Sequence, residues 1–248
     1  MLDYLTMKTS LLSSLFFGLL FSACQSNDTS FEDNSVKVVG AMKNVMWKGE
    51  LGGVITLDTI ANRKGLFGIG PLAYLKGEIL LLNGRPYVSR VDAEGMPSVK
   101  IEENVTAPFF VYANQNDWKE ITLPENVVGI PAIEDFVAQQ TKDVTEPFVF
   151  KIHGTALKAT YHIQNLADGS VVTNPDEAHA GQQSFKIFNK KVVIIGFYSK
   201  NHQGIFTHHD SNMHLHVITS DWKHMGHLDE LTLDVQSGKL LLPKSMPK

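Results

Sequence analysis

Cysteine is nearly absent from this chain: Cys24 is the single one among 248 residues. That excludes an intramolecular disulfide framework and any zinc site built from thiolates, so a bound metal has to be held by histidine and carboxylate. A basic surplus is lacking too. The 22 lysines and arginines against 26 acids give a formal net charge of -4, and without a basic cluster there is no electrostatic footprint for nucleic acid. Internal repeats, low-complexity blocks and heptads are also missing, so function has to come from local constellations. What the chain does have is 43% hydrophobic residues, enough for one large domain or two small ones around a substantial core.

One apolar run differs from the rest. Lys8 precedes Leu11 to Phe21, too short to span a bilayer as a mature helix, and the run ends in the small residues Ser22, Ala23 and Cys24. The order Leu20-Phe21-Ser22-Ala23-Cys24 resembles a bacterial lipobox. Residues 1–23 are therefore expected to be a lipoprotein-type signal peptide, with Cys24 lipidated in an exported, cell-envelope protein; a soluble secreted form or an uncleaved anchor is the alternative. The polar stretch 24–35 reads as a flexible tether, and the folded part starts near Val36.

Short apolar runs bounded by turn signals predict strands over Gly53–Leu57, Glu78–Leu82, Pro108–Tyr112, Phe148–Ile152, Val192–Phe197, Leu215–Thr219 and Leu228–Val235. Helices are few. Pro131–Gln140 has proline in its first turn and apolar residues at helical spacing, and a second short helix is expected over Asp58–Asn62. The pattern indicates an α+β fold of mixed and antiparallel sheets with few helices. An internal boundary is expected at residues 120–130, dividing a β-rich half over 36–125 from a second half over 126–248.

Four of the ten histidines lie in His-Leu-His-Val-Ile-Thr-Ser-Asp-Trp-Lys-His-Met-Gly-His, from His214 to His227. On a strand, His214 and His216 leave the same face about 6.5 to 7 Å apart at the backbone, a gap one metal ion can bridge. The polar segment Ser220–Lys223 suits a turn. An antiparallel return centred near Asp221 and Trp222 sets His227 opposite His216 on the same face, and His224 on the other. Three imidazoles with a vacant position form an open metal site of the catalytic kind, with zinc the default and iron, manganese or nickel able to accept similar ligands. In this register Asp229 lies opposite His214 and could hydrogen-bond the outer nitrogen of a ligand. His202, His208 and His209 fall in the stretch Asn201–Asn212, read as a polar surface loop with a lid over the metal as the functional alternative. His153 and His179 read as structural.

The spacing of His-Leu-His and Met-Gly-His-Leu-Asp resembles the metal-binding segment of bacterial α-acetolactate decarboxylases. Gly65–Glu78, running on through Ile79–Tyr87, is similar to the family's glycine-rich segment, acidic strand entry and following turn. Thr106–Phe109 and Gly154-Thr155 resemble two further family motifs, and all occur in the family's order over about residues 36–235. The resemblance implies a two-part fold of that family. It also implies zinc-dependent decarboxylation of a small-molecule 2-hydroxy-3-oxo acid, 2-hydroxy-2-methyl-3-oxobutanoate, to (R)-acetoin and carbon dioxide. In that reading His214, His216 and His227 hold the zinc, which chelates the substrate oxygens and stabilises the enediolate, and Glu78 handles the proton. Glu78 taken alone reads as an exposed strand-end acid.

Two positions depart from the family pattern. His162 stands where the family has arginine, and histidine is shorter and not permanently charged, so it would bind a carboxylate differently but can still pass a proton. The family's C-terminal glutamate has no counterpart, the last acid being Asp234. These departures leave two alternatives: a metal- and oxo-acid-binding protein without catalysis, and metal-assisted chemistry on another hydroxy-ketone. A cupin-type oxygenase fits less well, because Ser220 and Asp221 stand where its glutamate is expected.

Overall fold

The structure, a computed structural model, describes residues 34–247. The expected signal peptide, Cys24 and the tether up to residue 33 lie outside the described residues. Beyond them the chain forms one compact unit. The first sheet is built from β1 (Lys37–Val39), β3 (Leu66–Pro71), β4 (Glu78–Leu82), β5 (Arg85–Val91), β6 (Pro97–Ile101) and β8 (Phe110–Asn114), in the order β1-β8-β3-β4-β5-β6. Helix α1 (Met42–Lys48) follows β1, and β2 (Ile55–Thr56) pairs with β7 (Thr106–Ala107) in a small separate ladder. The second sheet takes β9 (Trp118–Thr122), β10 (Phe148–Ile163), β11 (Gln183–Tyr198), β12 (Met213–Thr219), β13 (Met225–Leu233) and β14 (Lys239–Pro243). Its helices are α2 (Ile130–Gln140) and the single turn α3 (Pro175–Ala178). Every strand ladder among the described residues is antiparallel.

The second sheet closes on itself. β11 pairs with β12, β12 with β13, β13 with β10, and β10 again with β11, so four strands form a ring. The ring interior and α2 share one core, with Phe148, Phe150, Tyr161 and Val217 in it. On the outer face, Val149, Ile195, Phe197 and Ile218 pack against Phe67, Ile69, Leu80 and Val111 of the first sheet. β12 is therefore buried on both faces, and all seven of its residues are buried. Met213, Leu215 and Val217 alternate into the ring interior, while His214, His216 and Ile218 turn to the other face.

Several local expectations from the sequence need correction. The runs at Phe148–Ile152 and Val192–Phe197 are parts of two strands of 16 residues each; the polar residues of their outer halves hid the continuation. The strand expected from Pro108 begins at Phe110, since proline lacks the N–H a ladder needs and interrupts the chain between β7 and β8. The strand expected over 53–57 is only two residues long, and a 3-10 turn at Leu57–Thr59 replaces the helix expected at 58–62. Helix α1 was not legible in the sequence: it lacks a side-chain cap and buries only Met42 and Val45.

Candidate metal centre

Three adjacent strands carry three histidines in one row. His216 on β12 lies directly opposite His227 on β13, and His227 lies directly opposite His162 on β10. Directly paired residues of an antiparallel ladder share a face, so all three imidazoles leave the same side, with His214 two residues along β12. The β12–β13 turn fixes this register. Asp221 accepts hydrogen bonds from Thr219 Oγ1 and Lys223 N, while Trp222, at φ 58, stacks on Tyr87 of the first sheet with ring centroids 5.0 Å apart. Gly226 completes the arrangement, because a Cβ there would meet the His162 carbonyl oxygen at 2.3 Å.

His214, His216 and His227 each offer one nitrogen, all lying within 4.8 Å of one another. His214 Nε2 and His227 Nδ1 are 3.1 Å apart, close to the roughly 3.3 Å that separates two imidazole nitrogens on one tetrahedral zinc. His216 Nε2 is buried and makes no hydrogen bond among the described residues. A buried lone pair without a donor is costly in a protein interior, and a cation would satisfy it. Burial holds His214 and His227 well below the ordinary histidine range and His216 down to about 3; neighbouring imidazoles add to the shift, and the Phe206 and Ile79 backbone opposes it slightly at His214 and His216. The three rings are therefore neutral near pH 7, the state in which imidazole binds a metal. The donor set fits a divalent metal ion.

Glu78 opens β4 and projects to the same place, with Oε2 3.6 Å from His216 Nε2 and Oε1 accepting from Gln164 N at 3.3 Å. It is buried, at 3% exposure, and not the exposed strand-end acid that the sequence alone suggested. Gly77, at φ +146, makes this entry possible, because a Cβ would lie 2.2 Å from the Ser89 carbonyl oxygen. Burial raises the Glu78 carboxyl well above its ordinary value; the Gln164 N–H opposes that and the charge of Asp229 adds to it.

Asp229 occupies a different place from the one expected. β12 and β13 part beyond His227, and the β10–β13 register slips between Thr160↔Glu230 and Tyr161↔Leu228, leaving Asp229 as the extra residue of a β-bulge. Asp229 Oδ1 is 2.7 Å from Nδ1 of His162, not bonded to His214. The His162 ring in turn stacks on His227 with centroids 4.6 Å apart.

The stretch Asn201–Asn212 is a fixed segment rather than a polar surface loop. Its Ile205 and Gly204 carbonyls accept from the first N–H groups of α1, Glu134 of α2 accepts from Ser211 and Asn212, and Phe206 and Thr207 are buried. It delivers His208 Nε2 to 3.2 Å from His227 Nε2. His179 also lines the cavity over the site, together with Met42, Phe109 and Gln164. His209 is exposed and His202 bonds Ser199. His153 and His224 are placed away from the three ligand candidates, His224 bonding Tyr161. His208 matches the alternative of a segment lying over the metal site, whereas His179 and Gln164 carry no sequence signal, since a fold-dependent approach brings each one in.

The ring of strands and its convergent imidazoles define a β-rich protein with a histidine-built candidate metal centre. The chain belongs to the alpha-acetolactate decarboxylase family, whose sequence model matches residues 39–242. The structure is similar to that of the alpha-acetolactate decarboxylase from Bacillus subtilis strain 168, with a TM-score of 0.68 at 21% identity over 85% of this chain and 86% of that one. It is also similar to the acetolactate decarboxylase of Bacillus subtilis subspecies spizizenii, with a TM-score of 0.68 at 21% identity over 86% of this chain and 87% of that one. A Staphylococcus aureus protein of unknown function, described as similar to alpha-acetolactate decarboxylase, gives a TM-score of 0.65 at 18% identity over 84% of each chain. At these identities the likeness is one of fold. No curated protein matches the sequence significantly.

Proposed function

We propose that this protein decarboxylates 2-hydroxy-2-methyl-3-oxobutanoate to (R)-acetoin and carbon dioxide, with zinc held by His214, His216 and His227. The observation that carries the reading is the single row His216–His227–His162 with Glu78 3.6 Å from His216, which brings two of the three ligand candidates beside a proton-handling pair. When bound, the metal would act as a Lewis acid toward the substrate's oxygens, favouring the electron shift that follows carboxylate loss.

The remaining work falls to this chain's own side chains. In the reaction the bond to the carboxylate breaks, its electron pair passes toward the ketone, and carbon then takes up one proton. Glu78 is suited to give that proton, because burial raises its carboxyl above the ordinary value and so favours the protonated form. A divalent cation nearby pulls in the opposite direction, so the acid is poised between two effects. His162 is oriented by Asp229 through Nδ1, which leaves its other nitrogen for the cavity that its ring lines. Met42, Leu75 and Phe109 supply an apolar wall that limits water around the reacting carbon. Export and lipid attachment at Cys24 are part of the proposal on the sequence pattern alone.

The test is a stopped assay for acetoin and carbon dioxide from racemic substrate, with the chirality of the acetoin determined. Enzyme-like release of the (R) product is expected. Stoichiometric metal without turnover would reject the decarboxylase reading in favour of a binding protein.

A further inference from the structure

Gln164 follows directly after β10 and is 5% exposed. Its backbone N–H is used by Glu78, and its side-chain Nε2 donates to Gln182 Oε1 at 3.4 Å. Its Oε1 is buried and has no hydrogen-bond partner among the described residues, although the side chain lines the same cavity as Glu78, His162, His214 and His227. A buried amide oxygen left unpaired bears the full desolvation cost of an acceptor, and a methionine or leucine would fill the same space without it. Such a group is explained if a ligand completes it.

The ligand's chemistry narrows what can do so. Here the inference rests on the reading of the cavity as a site for a 2-hydroxy-3-oxo acid. In the anion of such an acid, the carboxylate and the ketone offer only acceptors, and the 2-hydroxyl is the one donor. An acceptor oxygen in the wall repels the first two and matches the third. We propose that Gln164 is the specificity-determining residue of the site: its side-chain carbonyl accepts a hydrogen bond from the substrate's 2-hydroxyl and selects 2-hydroxy acids over analogues lacking that group. A site built to hydrogen-bond a substrate hydroxyl rejects the analogue without it more strongly than an apolar pocket can.

The test is calorimetric binding of 2-hydroxy-2-methylpropanoate and 2,2-dimethylpropanoate, which differ by hydroxyl against methyl, to the metal-loaded full-length protein and to Gln164→Met and Gln164→Leu. A bound metal would also favour the hydroxyl-bearing ligand in every one of these proteins, so the quantity read is the change in the affinity ratio between proteins. The ratio should fall about tenfold in both variants, with 2,2-dimethylpropanoate bound as in wild type, which also shows the pocket to be intact. An unchanged ratio, or a loss of both ligands in equal proportion, would overturn the proposal. So would a wild type that binds neither. A protein that discriminates through Gln164 but releases no acetoin refutes the decarboxylase reading alone, and one that releases acetoin with the ratio unchanged in the variants refutes the role of Gln164 alone.

Discussion

Asp229 and His162 are joined across a β-bulge, Oδ1 to Nδ1 at 2.7 Å. Bulges beside a functional site re-aim one side chain without disturbing the strand that carries it. Here the bulge turns a carboxylate toward the imidazole that sits in the row of the candidate metal ligands, so β13 supplies both His227 and the partner of His162.

Replacing Asp229 by asparagine should lower kcat roughly 10- to 100-fold, the range of a lost charge-assisted hydrogen bond, while leaving bound metal stoichiometric. Parallel measurement of turnover and metal content checks this. Loss of metal in proportion to activity would mean that Asp229 serves the ligands rather than His162.

His208 should matter to metal retention. If Nδ1 of His227 faces the cation with His214 Nε2, its Nε2 carries the proton, and His208 Nε2 at 3.2 Å accepts it. Outer partners of this kind typically contribute 10- to 100-fold in metal affinity. Competition with a chelator should show a loss of that size for His208→Phe, and none for His209→Phe, whose ring is exposed.

Acid should destabilise the metal-free protein. His214, His216 and His227 all have folded pKa values below their ordinary value of 6.5, so below about pH 6.5 the unfolded chain takes up protons that the folded chain refuses. Their contribution is fully present above pH 6.5 and is lost as pH falls, by up to about 1.4 kcal/mol per pH unit for each group. Denaturant titrations of metal-free protein between pH 7.5 and 5 should show this slope, and His216→Asn should reduce it.

Glu78 has the opposite linkage. Its folded pKa is raised from 4.5, so the folded chain keeps a proton that the unfolded chain gives up as pH rises past 4.5, and stability falls over the interval up to the raised value. Metal-free Glu78→Gln should therefore be more stable than wild type at pH 7, yet its kcat should drop about 10²- to 10⁴-fold if the carboxyl moves the proton. Thermal melts and turnover on one preparation separate the two effects.

The sequence exposed the part of the site that rests on a local element. His214, His216 and His227 lie within one hairpin, and a polar turn at Ser220–Lys223 is enough to set their parity. Glu78 and His162 came from the family resemblance, not from their surroundings, because their burial depends on sheets packed together from distant segments. Asp229 was misplaced because a bulge arises between two strands, and β13 alone carries no trace of the β10 register. His208, His179 and Gln164 reach the cavity from segments whose paths follow from closure of the strand ring, which no local pattern encodes.

The most direct test of the central claim is a titration of metal-free protein with zinc, reading acetoin formed from racemic 2-hydroxy-2-methyl-3-oxobutanoate against metal bound. Activity should rise linearly and level off at one ion per chain, and His216→Ala should neither retain the ion nor form acetoin. Acetoin formed at the full rate by metal-free protein, or by His216→Ala, would contradict it.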